Sequence, residues 1–315
     1  MTIDIHGHVT SPELFKRFPM PPSLADIDGM IEQKAALGID TTIVGSPVGA
    51  GTMVPVPGLD NYAQPSDGLD GFHEWVAETV RAHGDHLRGY VYVNPLAEDD
   101  SLARAAKRLA QQEFVGLIVN TSVRGRYLDA PEADQFFALA AETGSPILLH
   151  PPAEPVGAAA MHGHLGLVEH VARPCDVTSG VAAILFAGWL DKYPTLKLIA
   201  ANAGGALSLL REKLDLAQQR AKPGGGPAAP GTPISRQLSR IYVDTATPSQ
   251  LSLAAAAEVF GPDHLMFGTD SPPLATPLPA ALAMLDQLDV TAAQRDRIRT
   301  GTARELFGLT DGARS

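Results

Sequence analysis

The chain has 315 residues and a formal net charge of −11, which argues against nucleic acid or an anionic membrane surface as a partner through bulk electrostatics. A local cationic pocket for a small anionic substrate stays compatible with that balance. One cysteine, Cys175, excludes an internal disulfide framework, suits a reducing cytoplasm and reads as a passive packing residue. 

The opening segment Ile3-Asp4-Ile5-His6-Gly7-His8 is polar where a signal peptide would be apolar, so none is expected. No window reaches the roughly 18 apolar residues of a membrane helix. Short apolar runs then alternate with longer helical patterns. Strands are expected at residues 2–6, 41–45, 87–93, 114–119, 146–149, 196–201, 240–243 and 264–267. Helices are expected near 24–37, 72–83, 101–112, 131–143, 177–192, 207–220 and 249–260, with a helical tail over 279–309. A Gly/Pro-rich loop spans 46–71, and a Pro/Gly/Ala-rich segment at 222–233 reads as an exposed excursion inside the repeating pattern. Eight strands alternating with helices predict one TIM-type (β/α)8 barrel domain over residues 1–315, with a C-terminal helical tail.

A barrel of this kind gathers the C-terminal strand ends at one mouth. His6 and His8 share one face of the first strand, because side chains alternate. Gly7 between them reads as relief of bulk near a bound group. His150 closes strand five, Asn202 strand six and Asp270 strand eight. Three imidazoles and a carboxylate suit a divalent ion, zinc first and manganese second. The alternatives are that His150 caps a strand before Pro151 and that Asp270 caps a turn.

These residues carry a resemblance. Ile5-His6-Gly7-His8, Tyr127-Leu128-Asp129, Pro146 to Pro151, Tyr193 to Ile199, Ala203-Gly204-Gly205-Ala206, Tyr242-Val243-Asp244 and Phe267 to Pro272 together resemble the amidohydrolase superfamily. Within it, the chain is similar to the branch containing aminocarboxymuconate-semialdehyde decarboxylase, γ-resorcylate decarboxylase and oxalomesaconate hydratase. The resemblance implies one divalent metal on His6, His8, His150 and Asp270, a small anionic substrate and a homodimer. Strand four ends Val119-Asn120-Thr121, without the lysine that bridges two metals in other members, which favours a single ion.

One departure bears on the reaction. The decarboxylases of this branch commonly place a proton-transferring histidine before the Gly-Gly after strand six, and this chain has Asn202. Asparagine donates and accepts hydrogen bonds but moves no proton near pH 7. Asp270 then serves as both ligand and proton carrier, or His162 or His164 supplies the base, or catalysis is lost. Carbon–carbon lyase chemistry ranks first, metal-dependent hydrolysis or hydration second, and a metal-binding barrel without turnover third. Arg211 and Lys213 follow the Gly-Gly, and Arg124 and Arg126 follow strand four. Each pair either meets a substrate carboxylate or faces water. His73 and Trp75 read as helix packing, and His83, His86, His170 and His264 have no assigned partner.

Overall fold

The computed structural model describes residues 1–97, 100–161, 163–220, 232–273 and 276–309. His162, residues 222–231 of the Pro/Gly/Ala-rich segment and the last six residues of the chain lie outside that set.

Eight parallel strands form one sheet in the order β1 (Thr2–His8), β2 (Ile39–Gly45), β3 (Leu87–Tyr92), β4 (Phe114–Asn120), β7 (Ile147–His150), β8 (Leu198–Ala200), β9 (Tyr242–Asp244) and β10 (Leu265–Met266). Two further short strands, β5 (Ser122–Val123) and β6 (Arg126–Tyr127), pair antiparallel by themselves. The Ile5 N–H donates to the Phe267 carbonyl at 2.9 Å, joining the end of the sheet back to its beginning. The result is the expected barrel wrapped by helices. Strands β4 and β7 are buried along nearly their whole length. That is why they read as continuous apolar runs: helices cover one face and the barrel interior the other.

The structure shifts several expected boundaries for identifiable reasons. The helix placed at 72–83 runs Ser66–Ala82, because Pro65 presets the entry and Ser66-Asp67 open the first turn. The hairpin β5–β6 is additional to the eight expected strands. Its turn holds Arg124 and Gly125 at positive φ, the geometry that lets two short strands reverse tightly. The helix placed at 177–192 begins at Arg173 and is broken at Gly188, which sits at φ 79°. Pro174 falls in the first turn of that helix, where proline is tolerated. A π-helical turn at Val168–Ala172 leads directly into it.

Gly7 answers to packing against β2 and not to a bound group. A Cβ there would meet Thr42 Cγ2 at 2.5 Å and Val44 Cγ1 at 3.3 Å. The tail is helical as expected, with helices at Leu278–Asp286, Ala292–Asp296 and Thr302–Phe307. No described helix is long and apolar enough to cross a membrane.

Candidate metal centre

Strand ends β1, β7 and the segment after β10 bring His6, His8, His150 and Asp270 together, all buried, with one ligand atom from each lying within 4.8 Å of the others. The three imidazole rings sit 4.9–5.1 Å apart, centroid to centroid, and stand nearly perpendicular to one another. All three approach the same carboxylate oxygen. Asp270 Oδ1 is 2.8 Å from His8 Nε2, 3.4 Å from His6 Nε2 and 3.8 Å from His150 Nε2.

Each imidazole is held from behind. His6 Nδ1 donates to Asp244 Oδ2 at 2.6 Å, His8 Nδ1 to the Gly45 carbonyl at 3.2 Å, and His150 Nδ1 to the Pro151 carbonyl at 2.7 Å. Fixing the proton on Nδ1 leaves each Nε2 lone pair for a cation, the usual arrangement behind metal-bound histidine. The Nε2 atoms of His6 and His150 are buried with no hydrogen-bond partner. Orphaned buried nitrogens are costly unless something charged completes them. The donor set therefore fits one divalent ion in geometry and chemistry.

The electrostatics point the same way. Burial by itself would lower the His6 pKa, but Asp270, Asp244 and Asp4 outweigh it and raise it to about 9. Burial pushes His150 down to about 3. Burial opposes ionisation of Asp270, yet the surrounding imidazoles hold its carboxyl well below the ordinary value. Positive charge is favoured at the centre of this cluster, whether proton or metal.

The centre opens into a cavity of about 730 Å³ lined by His8, His150 and Asp270 together with apolar side chains such as Met20, Leu24 and Val54. Asn202 also lines it, in a left-handed backbone conformation at φ 54°. The turn that holds it is tied to the metal centre: Ala203 N–H donates to Asp244 Oδ1 at 2.9 Å, and the other oxygen of that carboxylate grips His6. Gly205, at φ 60°, admits no side chain, since a Cβ would lie 2.4 Å from the Pro174 carbonyl.

The four cations proposed from sequence lie elsewhere. Arg124 faces solvent against Asp60 at 2.7 Å, Arg126 against Glu132 at 2.7 Å, and Arg211 against Glu212 at 2.8 Å. Lys213 is exposed, and none of these four lines the cavity. His164 is exposed and does not line the cavity either. Among the described residues, the one lysine or arginine that does line it is Arg173. Its side chain is 13 % exposed, with Nη1 donating to Glu169 and Nη2 to the Met53 carbonyl, each at 3.3 Å. Its Nε is buried without an acceptor.

The sequence pattern does not single out Arg173, because it precedes the helix expected at 177–192. The i,i+4 spacing of Glu169 and Arg173 was the available signal. His170 lines the cavity as well, and Cys175 is an exposed lining residue instead of a packing one. His73 is buried within its helix and accepts the Tyr92 N–H at 3.0 Å, a packing role as expected.

An amidohydrolase family model matches residues 3–309. The chain is 23 % identical over 261 residues to 2-amino-3-carboxymuconate-6-semialdehyde decarboxylase from Dictyostelium discoideum, covering 81 % of this chain and 71 % of that one. Its fold is similar to 5-carboxyvanillate decarboxylase from Sphingomonas paucimobilis, with a TM-score of 0.83 at 18 % identity over 98 % of this chain and 99 % of that one. It is also similar to a dihydroxybenzoic acid decarboxylase from Polaromonas, solved with manganese and the inhibitor 2-nitroresorcinol. There the TM-score is 0.80 at 21 % identity, over 99 % of this chain and 98 % of that one.

Proposed function

The chain belongs to the amidohydrolase family, and from that premise we propose that it is a metal-dependent carboxy-lyase acting on a small aromatic or unsaturated carboxylic acid. The observation that most supports this reading is the joining of a centre of four candidate ligands to a cavity in which Arg173 is the one lysine or arginine among the described residues. Decarboxylases among its relatives support the same reaction class.

A divalent cation on His6, His8, His150 and Asp270 would supply Lewis-acid charge next to the oxygens of the substrate. Three imidazoles and a carboxylate suit zinc, and manganese is the ion held by the Polaromonas relative. Arg173 takes the role that the sequence offers to Arg124 and Arg211. Its guanidinium has unused donors to orient an acid group. The apolar wall favours loss of a charged carboxylate as neutral CO₂.

Asn202 offers its amide N–H₂ to an oxygen that gains negative charge as the electron pair is left behind. Asp270 has its Oδ1 committed to the imidazoles and its Oδ2 available to carry a proton to carbon. His170 lines the same cavity and is a second proton source. The active unit is proposed to be a homodimer working in a reducing compartment.

Asn202 also favours a second reading, metal-dependent hydration or hydrolysis of an oxo-acid or lactone, because that chemistry needs no imidazole at the position. The protein loaded with manganese or zinc is to be offered hydroxybenzoates, carboxymuconates and lactones. CO₂ release from an acid supports the lyase. Lactone opening without CO₂ release moves the assignment to the hydrolase. Stoichiometric metal with no turnover on any of them leaves a non-catalytic metal-binding barrel.

A further inference from the structure

Asp270 is held in the left-handed backbone region, at φ 55°. For a residue other than glycine that conformation is uncommon, and its surroundings hold it there. The surroundings here are a buried ion pair that the metal centre itself does not use. Lys34, 2 % exposed in the helix Ile27–Ala35, donates through Nζ to Asp4 Oδ2 at 2.7 Å. The same Nζ donates to the Ser271 carbonyl at 2.8 Å, the residue following Asp270. Asp4 secures the residue preceding it: Thr269 N–H donates to Oδ1 at 3.0 Å and the Thr269 hydroxyl to Oδ2 at 2.6 Å. Asp4 Oδ1 also accepts the His6 N–H at 3.0 Å.

Two charged side chains therefore grip Asp270 on both flanks and tie it to the strand that carries His6 and His8. Neither of them lines the cavity. Stability alone is a poor reason for such an arrangement, because burying two charges costs about as much as their attraction returns. We propose that Lys34 is a positioning residue for the metal: with Asp4 it holds the Thr269–Ser271 segment so that Asp270 completes the ligand set. The inference rests on the metal-centre part of the proposed function and is independent of the reaction catalysed.

The test is the affinity of the metal-free protein for manganese or zinc, measured by competition with a fluorescent chelator well below the unfolding transition. Four proteins are compared: wild type, Lys34→Met, Asp270→Asn and the double variant. Lys34→Met is expected to weaken metal binding tenfold or more, in the range typical of groups that support ligands. In the Asp270→Asn background the same change is expected to add less than twofold, because Lys34 acts through Asp270. A folded Lys34→Met protein with a lower Tm and unchanged metal affinity overturns the proposal, and so does an equal loss in both backgrounds.

Should Lys34→Met not fold, Thr269→Val removes only the hydroxyl bond to Asp4. It is expected to weaken binding several-fold, again without effect on Asp270→Asn; unchanged affinity overturns the proposal. A wild type that binds neither ion removes the metal centre and this inference together. Wild-type binding that is indifferent to Lys34 removes the inference alone.

Discussion

His6 and Asp244, 238 residues apart in the chain, meet through a 2.6 Å contact in which neither side chain has any solvent exposure. The carboxylate fixes which imidazole nitrogen carries the proton and leaves the other for a cation. Through its second oxygen it also anchors the turn that presents Asn202 to the cavity. One buried side chain thus organises a candidate metal ligand and part of the cavity wall.

Asp244→Asn tests that relationship. The amide N–H₂ would face His6 Nδ1, favouring the tautomer with its proton on Nε2, the wrong nitrogen for coordination. Metal affinity is expected to fall about 10–100-fold. Chelator competition on the folded variant checks it, and unchanged affinity contradicts the assigned role of Asp244.

Arg173→Met is nearly isosteric along the stem and removes every donor. With an acid as substrate, KM is expected to rise about 10–100-fold, the loss of a charge-assisted hydrogen bond worth about 1.5–3 kcal/mol. Metal content is expected to be unchanged, since Arg173 is not a ligand. Steady-state kinetics with metal analysis separates the two effects. A fall in kcat at constant KM would place Arg173 outside substrate binding.

Asn202→His restores a proton-carrying group to a position that faces the cavity. General acid–base catalysis by a placed imidazole is typically worth about 10²–10⁴-fold. Decarboxylation of a hydroxybenzoate is expected to rise by at least the lower end of that range, with a new ionisation in the pH–rate profile. A flat response would indicate that Asp270 or His170 already delivers the proton.

His73 predicts a pH dependence of stability away from the metal. Burial, with help from Arg108 and Arg104, pushes its pKa down to about 3 from the ordinary 6.5. The folded protein keeps this imidazole neutral to accept the Tyr92 N–H, whereas the unfolded chain protonates it below pH 6.5. Stability from this group is therefore complete above pH 6.5 and is lost as pH falls toward 3, by about 1.4 kcal/mol per pH unit. Denaturant unfolding of the metal-free protein between pH 7 and 4.5 is expected to show a steeper decline for wild type than for His73→Gln.

The barrel and the gathering of His6, His8, His150 and Asp270 at its mouth were legible because both follow from local periodicity. Alternation places His6 and His8 on one face, and the end of a parallel strand is the mouth of a barrel whatever helices surround it. His150 and Asp270 could be found the same way, as polar residues closing apolar runs. The cations were a different problem. Arg124 and Arg211 stand near the expected places in the chain, but Asp60 and Glu212 draw them outward, and long flexible side chains go where charge and space allow.

The places of Arg173, Asp244 and the Lys34–Asp4 pair around the site became visible only in three dimensions. Arg173 reaches the cavity from a helix entered through a π turn. Asp244 matters because β9 lies near β1 in the closed barrel, and Lys34 because its helix packs beneath the Asp270 segment. Sequence by itself determined which residues stand at or just beyond the strand ends, His6, His8 and His150 within their strands and Asn202 and Asp270 past them, since that depends on a short period. The contacts behind and beside those residues depend on helix rotation and long-range closure, which no local pattern encodes.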